Sequence, residues 1–411
     1  MSGCPLPFGQ THATSPMVTT TPNPGFIVAD AKNHVMGRSL KAYIESKIHQ
    51  DLKEQGIRRI RISAGSRRKR PARIASSERL RKFDSRRPTT TIVDSGEVHL
   101  HCFPSRDLIL HYAGLVATYL DMQGGSPGIV QVHLPDPLQE ARFLPRTNLG
   151  RLGSVDIAII GDVDYLEGIR NDTWAGVGES DLDVFRWHKF TSPSGETVAL
   201  VGCLDKIWGN TGGYLVRTLL AQSGIKCAIY IAKVGSLSSK YVANEWIATG
   251  HEAYLDNELI SWTNPLDSLI DSCAQVATNQ AYYEDESISK ADQLDALRKS
   301  CARVARGPIV TVPTLLCETR TWLEEWAPPK AVWVDCEVAY MAKEAAEAGI
   351  DFGYLHIVSD NLLHDDGENL SNEDTDIVIG KRESLYEDVS RIISAHISRP
   401  KPLHDIDVED S

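Results

Sequence analysis

The 411-residue sequence has no run approaching the ~18–20 consecutive apolar residues that a bilayer-spanning helix needs, which argues against a membrane-embedded protein. Its eight cysteines (Cys4, Cys102, Cys203, Cys227, Cys273, Cys301, Cys317, Cys336) are scattered, with no CxxC pair. A zinc site or disulfide framework is therefore not expected, and the thiols read as reduced and mostly buried, as in the cytoplasm or nucleus. The opening stretch MSGCPLPFGQTHATSPMVTTTPNPGF lacks an apolar h-region and is not expected to act as a secretory signal. There is no internal repeat and no EF-hand spacing. His99 and His101 alternate on one strand-like run, but no third ligand lies nearby in sequence, so no metal is expected.

What is present is unevenly distributed. The net charge of −12 would by itself argue against a nucleic-acid partner. Residues 1–150, however, carry 21 Lys and Arg against 12 Asp and Glu, a net +9, while the remainder carries 22 against 43, a net −21. At 42% hydrophobic the chain can bury a sizeable core, and its length suggests two or three units.

Residues 1–30, rich in Pro, Thr and Gly, are expected to be disordered. Residues 31–88 read as a helix, SLKAYIESKIHQDLKEQ from Ser39, followed by a basic arm from Arg58 to Pro88. Like-charge repulsion favours an exposed segment there, serving as a linker or as a localisation or polyanion-binding signal. Residues 89–150 read as an α/β extension, with TTTIVDSGEVHLHCF and GIVQVHL as strands and DLILHYAGLVATYLDM as a helix. Residues 151–400 alternate strands (VDIAIIGDV, ETVALVGC, CAIYIAKVGS, NEWIATG, DFGYLHIVSDN) with helices (NTGGYLVRTLLAQSG, SLYEDVSRIISAHI), and AVWVDCEVAYMAKEAAEAGI supplies a strand end and a helix. That alternation predicts an α/β fold with helices on both faces of a central sheet. Residues 401–411 form an acidic tail.

In such sheets ligands bind at the carboxyl ends of strands. Those ends here carry Asp162 and Asp164, Lys233 with Gly235 and Ser236, Asp335 and Glu337, and Ser359 with Asp360. Any one of these is well explained as a helix N-cap; their recurrence at successive strand ends points to a shared ligand. A carboxylate suits a cis-diol because it accepts two O–H bonds. A second carboxyl, kept protonated, can act as general acid to a leaving heterocycle.

From about Val155 to His396 the sequence resembles the nucleoside phosphorylase/nucleosidase superfamily. The resemblance rests first on Val334–Glu337 (VDCE) followed by Val358–Asn361 (VSDN), with Glu337 and Asp360 at the family's spacing. VDIAIIGD is similar to the family's first strand and Gly161–Asp162 turn, and IAKVGSL to its sugar- or phosphate-contacting strand end at Lys233, Gly235 and Ser236. The resemblance implies a mixed central sheet flanked by helices and a purine nucleoside or nucleotide as substrate. It places Glu337 on the ribose hydroxyls and Asp360 as acid to the base, with Asp335, Cys336, Ser359, Gly161 and Asp162 lining the site. It also implies a homo-oligomer and no cofactor, unless phosphate is co-substrate.

The sequence departs from the phosphorylases in the first loop, which reads Gly-Asp-Val-Asp-Tyr without the phosphate arginine, and in having Lys233 where a second arginine is usual. A lone lysine binds an oxyanion less specifically than a bidentate arginine. The reading is therefore an N-ribosyl hydrolase, with Asp164 and Glu167 as candidates to activate water. A purine nucleoside phosphorylase is the alternative. A non-catalytic nucleoside sensor, or a scaffold binding nucleic acid through the arm, is the alternative of another class. Trp208, Thr249, Tyr254 and Leu316 flank the expected base pocket but are equally explained as core. The turn Cys102–Arg106 (CFPSR) and the acidic loop Leu363–Val378 complete the candidate features, the latter expected to lie over the site.

Overall fold

The computed structural model describes residues 25–53, 56–65, 88–94, 96–169, 173–176, 178, 180–273, 289–364 and 367–399. The basic arm between 66 and 87, the first 24 residues and the acidic tail lie outside them.

The amino-terminal unit comprises α1 (Ser39–Lys47), β1 (Arg59–Ala64), β2 (Thr89–Asp94), β3 (Glu97–Cys102), α2 (Arg106–Met122), β4 (Val130–His133) and α3 (Pro137–Phe143). Its four strands form a sheet in the order β2-β3-β1-β4, with β1 parallel to both neighbours and β2–β3 an antiparallel hairpin. Here the reading of residues 58–64 as part of an exposed arm is corrected. Ile60 and Ile62 are fully buried in a central strand. The arginines that suggested repulsion occupy the outer face of a strand whose period-2 alternation buries the isoleucines. The predicted long helix ends at Lys47, where Ile48 turns extended, and Ile48 and Leu52 still reach the core. CFPSR is the start of α2: Ser105 caps it by accepting from Leu108 N–H.

The carboxyl-terminal unit runs β5 (Ile157–Gly161), β6 (Phe185–Thr191), β7 (Thr197–Cys203), α4 (Asn210–Ser223), β8 (Cys227–Ser236), β9 (Ile247–Thr249), β10 (Glu252–Leu255) and β11 (Glu258–Ser261). It continues through α5 (Asp267–Ser272), α6 (Lys290–Ala302), β12 (Val304–Arg306), β13 (Ile309–Thr311), α7 (Arg320–Glu325), β14 (Trp333–Asp335), α8 (Val338–Ala348), β15 (Asp351–Asn361) and α9 (Asp376–Ile397). The predicted α/β class holds: eleven strands form one mixed sheet with helices packed on it. Strand β8 is its hub. One edge pairs along its length with parallel β15. The other pairs with β5 at Cys227–Ile231 and with β14 at Gly235–Ser236, so its two partners diverge around Lys233. The carboxyl ends of β5 and β14 flank β8 on either side of this gap. α9 begins eight residues before the predicted helix, because Thr375 caps it by accepting from Val378 N–H.

Cys273 and Cys301 form a disulfide between the end of α5 and α6, which corrects the expectation that all the thiols are reduced. Helix packing brings these residues together across 28 positions, a proximity that no spacing motif announces. Cys102, Cys203, Cys227 and Cys336 lie buried outside this disulfide, and Cys317 lies half-buried outside it.

The two units share one hydrophobic core. Leu40, Tyr43 and Ile44 of α1 and Leu108, Tyr112 and Leu115 of α2 belong to the same buried cluster as Leu316, Trp333, Cys336 and Met341. Residues 25–37, partly assigned to a disordered terminus above, instead form a strap. Phe26 and Ala29 are buried, and Ala29 N–H donates to Thr118 Oγ1. Val35 N–H donates to the Glu318 carbonyl, and Arg320 N–H to the Asn33 carbonyl. His34, fully buried, holds the strap down: Nε2 donates to Leu315 O at 3.0 Å while Nδ1 accepts from Met36 N–H.

That neutral tautomer leaves His34 no place for a second proton, and burial lowers its pKa from 6.5 to about 4, against the opposing effect of the Leu315 carbonyl. Between those values the unfolded chain binds the proton and the folded chain does not, so stability falls as pH falls through that window. Urea unfolding from pH 7 to pH 4 should show the wild type losing on the order of 3 kcal/mol more than a His34→Gln variant, which keeps a donor to Leu315 but does not titrate. Parallel curves for the two proteins would show that the strap is not held this way.

Candidate active site

Asp360 sits where β15 breaks register. Val358 pairs with Val234 and Asp360 with Gly235, so Ser359 is the extra residue of a bulge. Bulges re-aim side chains. Here the Ser359 hydroxyl bonds Val234 O at 3.2 Å and Asp360 Oδ1 at 2.6 Å, and the other carboxylate oxygen lies over Gly235. A Cβ at Gly235 would stand 2.7 Å from Leu362 Cδ1, 2.9 Å from Val334 Cγ1 and 3.5 Å from Asp360 Oδ2. Burial raises the Asp360 pKa, opposed by the Ser359 hydroxyl, Arg382 and Lys233. The result is a carboxyl biased towards its protonated form.

Gly235 is in register with Val334 of β14 on one side and Asp360 on the other. The turn after β14 therefore opens about two strand spacings, roughly 10 Å, from Asp360. Within it, Asp335 is committed to structure. It accepts from Thr311 Oγ1 (2.6 Å), Glu337 N–H (3.0 Å) and Val338 N–H (2.6 Å), capping α8. Burial lifts its pKa to about 6 against these three bonds. Because Asp335 takes the cap, the Glu337 side chain makes no cap bond at the head of α8. Glu337 is buried and its Cβ lies 3.5 Å from where a Cβ on Gly212 of α4 would be. The Cys336 thiol is buried, its pKa pushed well up by burial and by neighbouring Glu337, Asp335 and Glu318. The Ser236 hydroxyl is used locally, donating to Ser238 O and accepting from Ser238 N–H.

In the first loop Gly161 adopts φ +102°, and a Cβ there would lie 2.1 Å from the Ile231 carbonyl oxygen. Only glycine lets the chain cross β8 so closely. The turn places Asp162 against Tyr386 of α9, whose hydroxyl donates to Oδ2 at 2.5 Å. Burial raises the Asp162 pKa, opposed by Lys233, the Tyr386 hydroxyl and Arg382. Lys233 and Arg382 thus act on both Asp162 and Asp360. Asp164 lies two residues further on, half-buried, and Glu167 is exposed. Asp162 is drawn into the charged centre.

Four participants had no motif to announce them. Glu373, from the acidic loop, is paired with Lys233 (2.6 Å), with Lys47 of α1 (2.6 Å) and with Arg382 of α9 (3.3 Å). Glu318, after β13, is buried, and its pKa is raised well above the ordinary value by burial and then by Asp360. Glu373 and Glu318 also act on the buried Tyr43 of α1. The amino-terminal unit therefore contributes to the wall of the site. The flanking positions divide: Thr249 is core, donating to Tyr354 O. Leu316 is buried beneath α2 at Gly114, and Tyr254 is half-buried on β10. Trp208 stacks on His111 of α2 at 4.1 Å and donates to Pro313 O.

Residues 210–394 match the family model of the phosphorylase superfamily. The match covers less than half of the chain. It spans Lys233, Glu337 and Asp360 but starts after β5, so the first-loop assignments rest on the structure and the resemblance alone. Solved structures with a distant similarity to this chain include three bacterial proteins. The 5'-methylthioadenosine/S-adenosyl homocysteine nucleosidase of Campylobacter jejuni is 12% identical, covering 59% of this chain and 100% of that one, with a TM-score of 0.42. The futalosine hydrolase of Helicobacter pylori strain 26695 is 11% identical over 59% and 98%, with a TM-score of 0.40. A putative methylthioadenosine nucleosidase from Weissella paramesenteroides is 15% identical over 60% and 98%, with a TM-score of 0.37. At such distances no substrate or mechanism is carried over. A comparison with curated proteins finds no match.

Among the described residues no group of three or more His, Cys, Asp or Glu is arranged to hold a metal ion. His99 is engaged with Glu97, its Nε2 3.0 Å from the carboxylate. No helix among them is long and apolar enough to cross a membrane.

Proposed function

We propose that this chain cleaves the N-glycosidic bond of a purine nucleoside or nucleotide. One observation carries the reading: the Ser359 bulge sets a buried carboxyl with a raised pKa beside Gly235 at the strand ends, across that glycine from the turn that bears Glu337. The superfamily match over both acids supports it.

In this mechanism Glu337 accepts the ribose 2′- and 3′-hydroxyls, holding the sugar as positive charge develops on it. Asp360 hydrogen-bonds the purine and passes it a proton as the bond lengthens, neutralising the leaving group. Ser359 keeps the carboxyl aimed. Cys336, Gly235 and Gly161 shape the wall, while Asp335 acts at one remove by fixing the turn. For hydrolysis a water must be activated at the sugar's anomeric carbon. Asp162, which shares Lys233 and Arg382 with Asp360, is the acid proposed for this step, with Asp164 and Glu167 as the other candidates.

A second reading has support of its own. Lys233 is not alone, as the sequence implied, but joined by Lys47 and Arg382, a set able to bind phosphate as a phosphorylase would. Incubating the protein with adenosine, inosine, guanosine and their 5′-monophosphates, with and without phosphate, separates the cases. Base release without phosphate is expected. An absolute phosphate requirement would assign the phosphorylase, and ligand-dependent thermal stabilisation without base release would assign a sensor. A homo-oligomer remains part of this proposal, with sedimentation as its check.

A further inference from the structure

The two faces of the amino-terminal sheet differ in chemistry. Ile60 and Ile62 of β1 and Val98 and Leu100 of β3 belong to the shared core, together with Leu108 and Tyr112 of α2. Side chains alternate along a strand, so the residues between these stand on the opposite face. The register sets them in rows across β3, β1 and β4. His101, Ser63 and His133 form one row, and His99, Arg61 and Gln131 the next. Glu97 and Arg59 begin a third. Every one of the eight is polar and none is buried; Arg59, Gln131 and His133 are exposed.

Among these eight, Glu97 is the single acid. Its carboxylate lies 3.1 Å from Arg61 Nε, 3.4 Å from Arg59 Nη1 and 3.0 Å from His99 Nε2. One carboxylate facing two permanent cations leaves the face net positive, and it also fixes the Arg61 guanidinium and the His99 ring. The His99 and His101 rings stand edge to face, 6.3 Å apart. Burial and then His99 lower the His101 pKa, so that ring is uncharged at neutral pH. Flat rings and a held guanidinium are surfaces on which unstacked bases lie, and a four-stranded sheet backed by helices is one way of presenting them. Ser63 and Gln131 can each donate and accept, as a ribose 2′-hydroxyl requires.

We infer that this face binds single-stranded RNA, with bases against His99, His101 and Arg61 and phosphates along Arg59 and Arg61. Other occupants match it less well. A bilayer surface calls for apolar side chains, which these rows do not present. A duplex keeps its bases stacked and has no use for the rings. The segment joining β1 to β2 begins and ends on this sheet, yet residues 66–87 hold ten Lys and Arg against two acids. Its charge has the same sign as the face, which argues against it as the occupant. The face lies away from the core shared with the carboxyl-terminal unit, so the inference stands apart from the glycosidic chemistry.

The experiment is fluorescence anisotropy of the full chain with a labelled single-stranded RNA of about 15 nucleotides, over a range of salt concentrations. His99→Ala should weaken binding about tenfold with an unchanged dependence of log Kd on log salt. His99→Phe should restore the affinity, because it returns an aromatic face, and it keeps the test open if the alanine variant is unstable. Arg61→Gln should weaken binding by a similar factor and lower the salt slope by about 0.7, the share of one phosphate on a single strand. Duplex RNA, single-stranded DNA of the same sequence and polyglutamate should each bind more weakly. No RNA binding by the wild type would overturn the inference, as would affinities unchanged by both His99→Ala and Arg61→Gln. Equal binding of duplex or DNA would equally overturn it, and polyglutamate binding as tightly as RNA would reduce the face to a cationic patch.

Discussion

Asp360→Asn is expected to lower kcat by about 10²–10⁴-fold with little change in KM. The amide has nearly the shape of the protonated acid and can still meet the Ser359 hydroxyl, so substrate should bind. What it lacks is a proton to give as the purine departs, and that proton is needed only in the transition state. The sign of the pH dependence follows from the raised pKa of Asp360. The acid form persists to higher pH than in a free aspartate, and wild-type kcat should decline on the alkaline side as the carboxyl ionises. The residual activity of the variant should lack that limb. An unchanged kcat removes Asp360 from the chemistry, and a rise in KM alone makes it a binding group.

The second large effect concerns the amino-terminal unit. A chain shortened to residues 151–399 is expected not to fold, because α1 and α2 belong to the same core as the sheet. Leu316, Trp333, Cys336 and Met341, each at most 8% exposed, share their buried cluster with α1 and α2 and would be uncovered in the shortened chain. Each such side chain contributes about 1.5–3 kcal/mol on burial, and a domain's whole net stability is about 5–15 kcal/mol. The strap bonds at Val35, Arg320 and His34 are lost as well. Dye binding to exposed apolar surface and the absence of a cooperative melt should show it. A shortened chain with a native-like melt would mean that the two units are independent, and that Lys47 is a chance neighbour of the site.

Sequence patterning revealed the elements with strong periodicity and clear stops. α4 and α8 end at Gly224 and Gly349, both in the left-handed conformation that glycine favours, and β8 and β15 are long apolar runs buried on both faces. The motif acids were legible for the same reason: they end strands that could be read. The strands β9–β13 are three or four residues long and show no usable period, and of them only β9 was expected. β1 was hidden because its arginines outweighed the alternation of Ile60 and Ile62. Most of the chemistry missed by sequence was long-range. Lys47 and Glu373 are 326 positions apart and Asp162 and Tyr386 are 224 apart, so no local spacing could pair them. Asp335 shows the converse: it resembled a ligand residue by position, yet its carboxylate is occupied in capping α8.

The charge asymmetry, +9 before residue 150 and −21 after it, resolves at one point where the structure can be followed. There a lysine from the basic part meets a glutamate from the acidic part inside the site wall. Burial draws the Lys47 pKa down to about 8 even with Glu373 beside it, so this buried contact is tied to the site's own electrostatics.

The central claim is that the cleft around Asp360 and Glu337 breaks a glycosidic bond. It is tested most directly by quantifying free purine and sugar together after incubating the purified full chain with a nucleoside or its 5′-monophosphate in phosphate-free buffer. The account predicts equal amounts of free base and reducing sugar, with both lost in the Asp360→Asn variant. No base from any purine nucleoside or nucleotide, with phosphate present or absent, would contradict it.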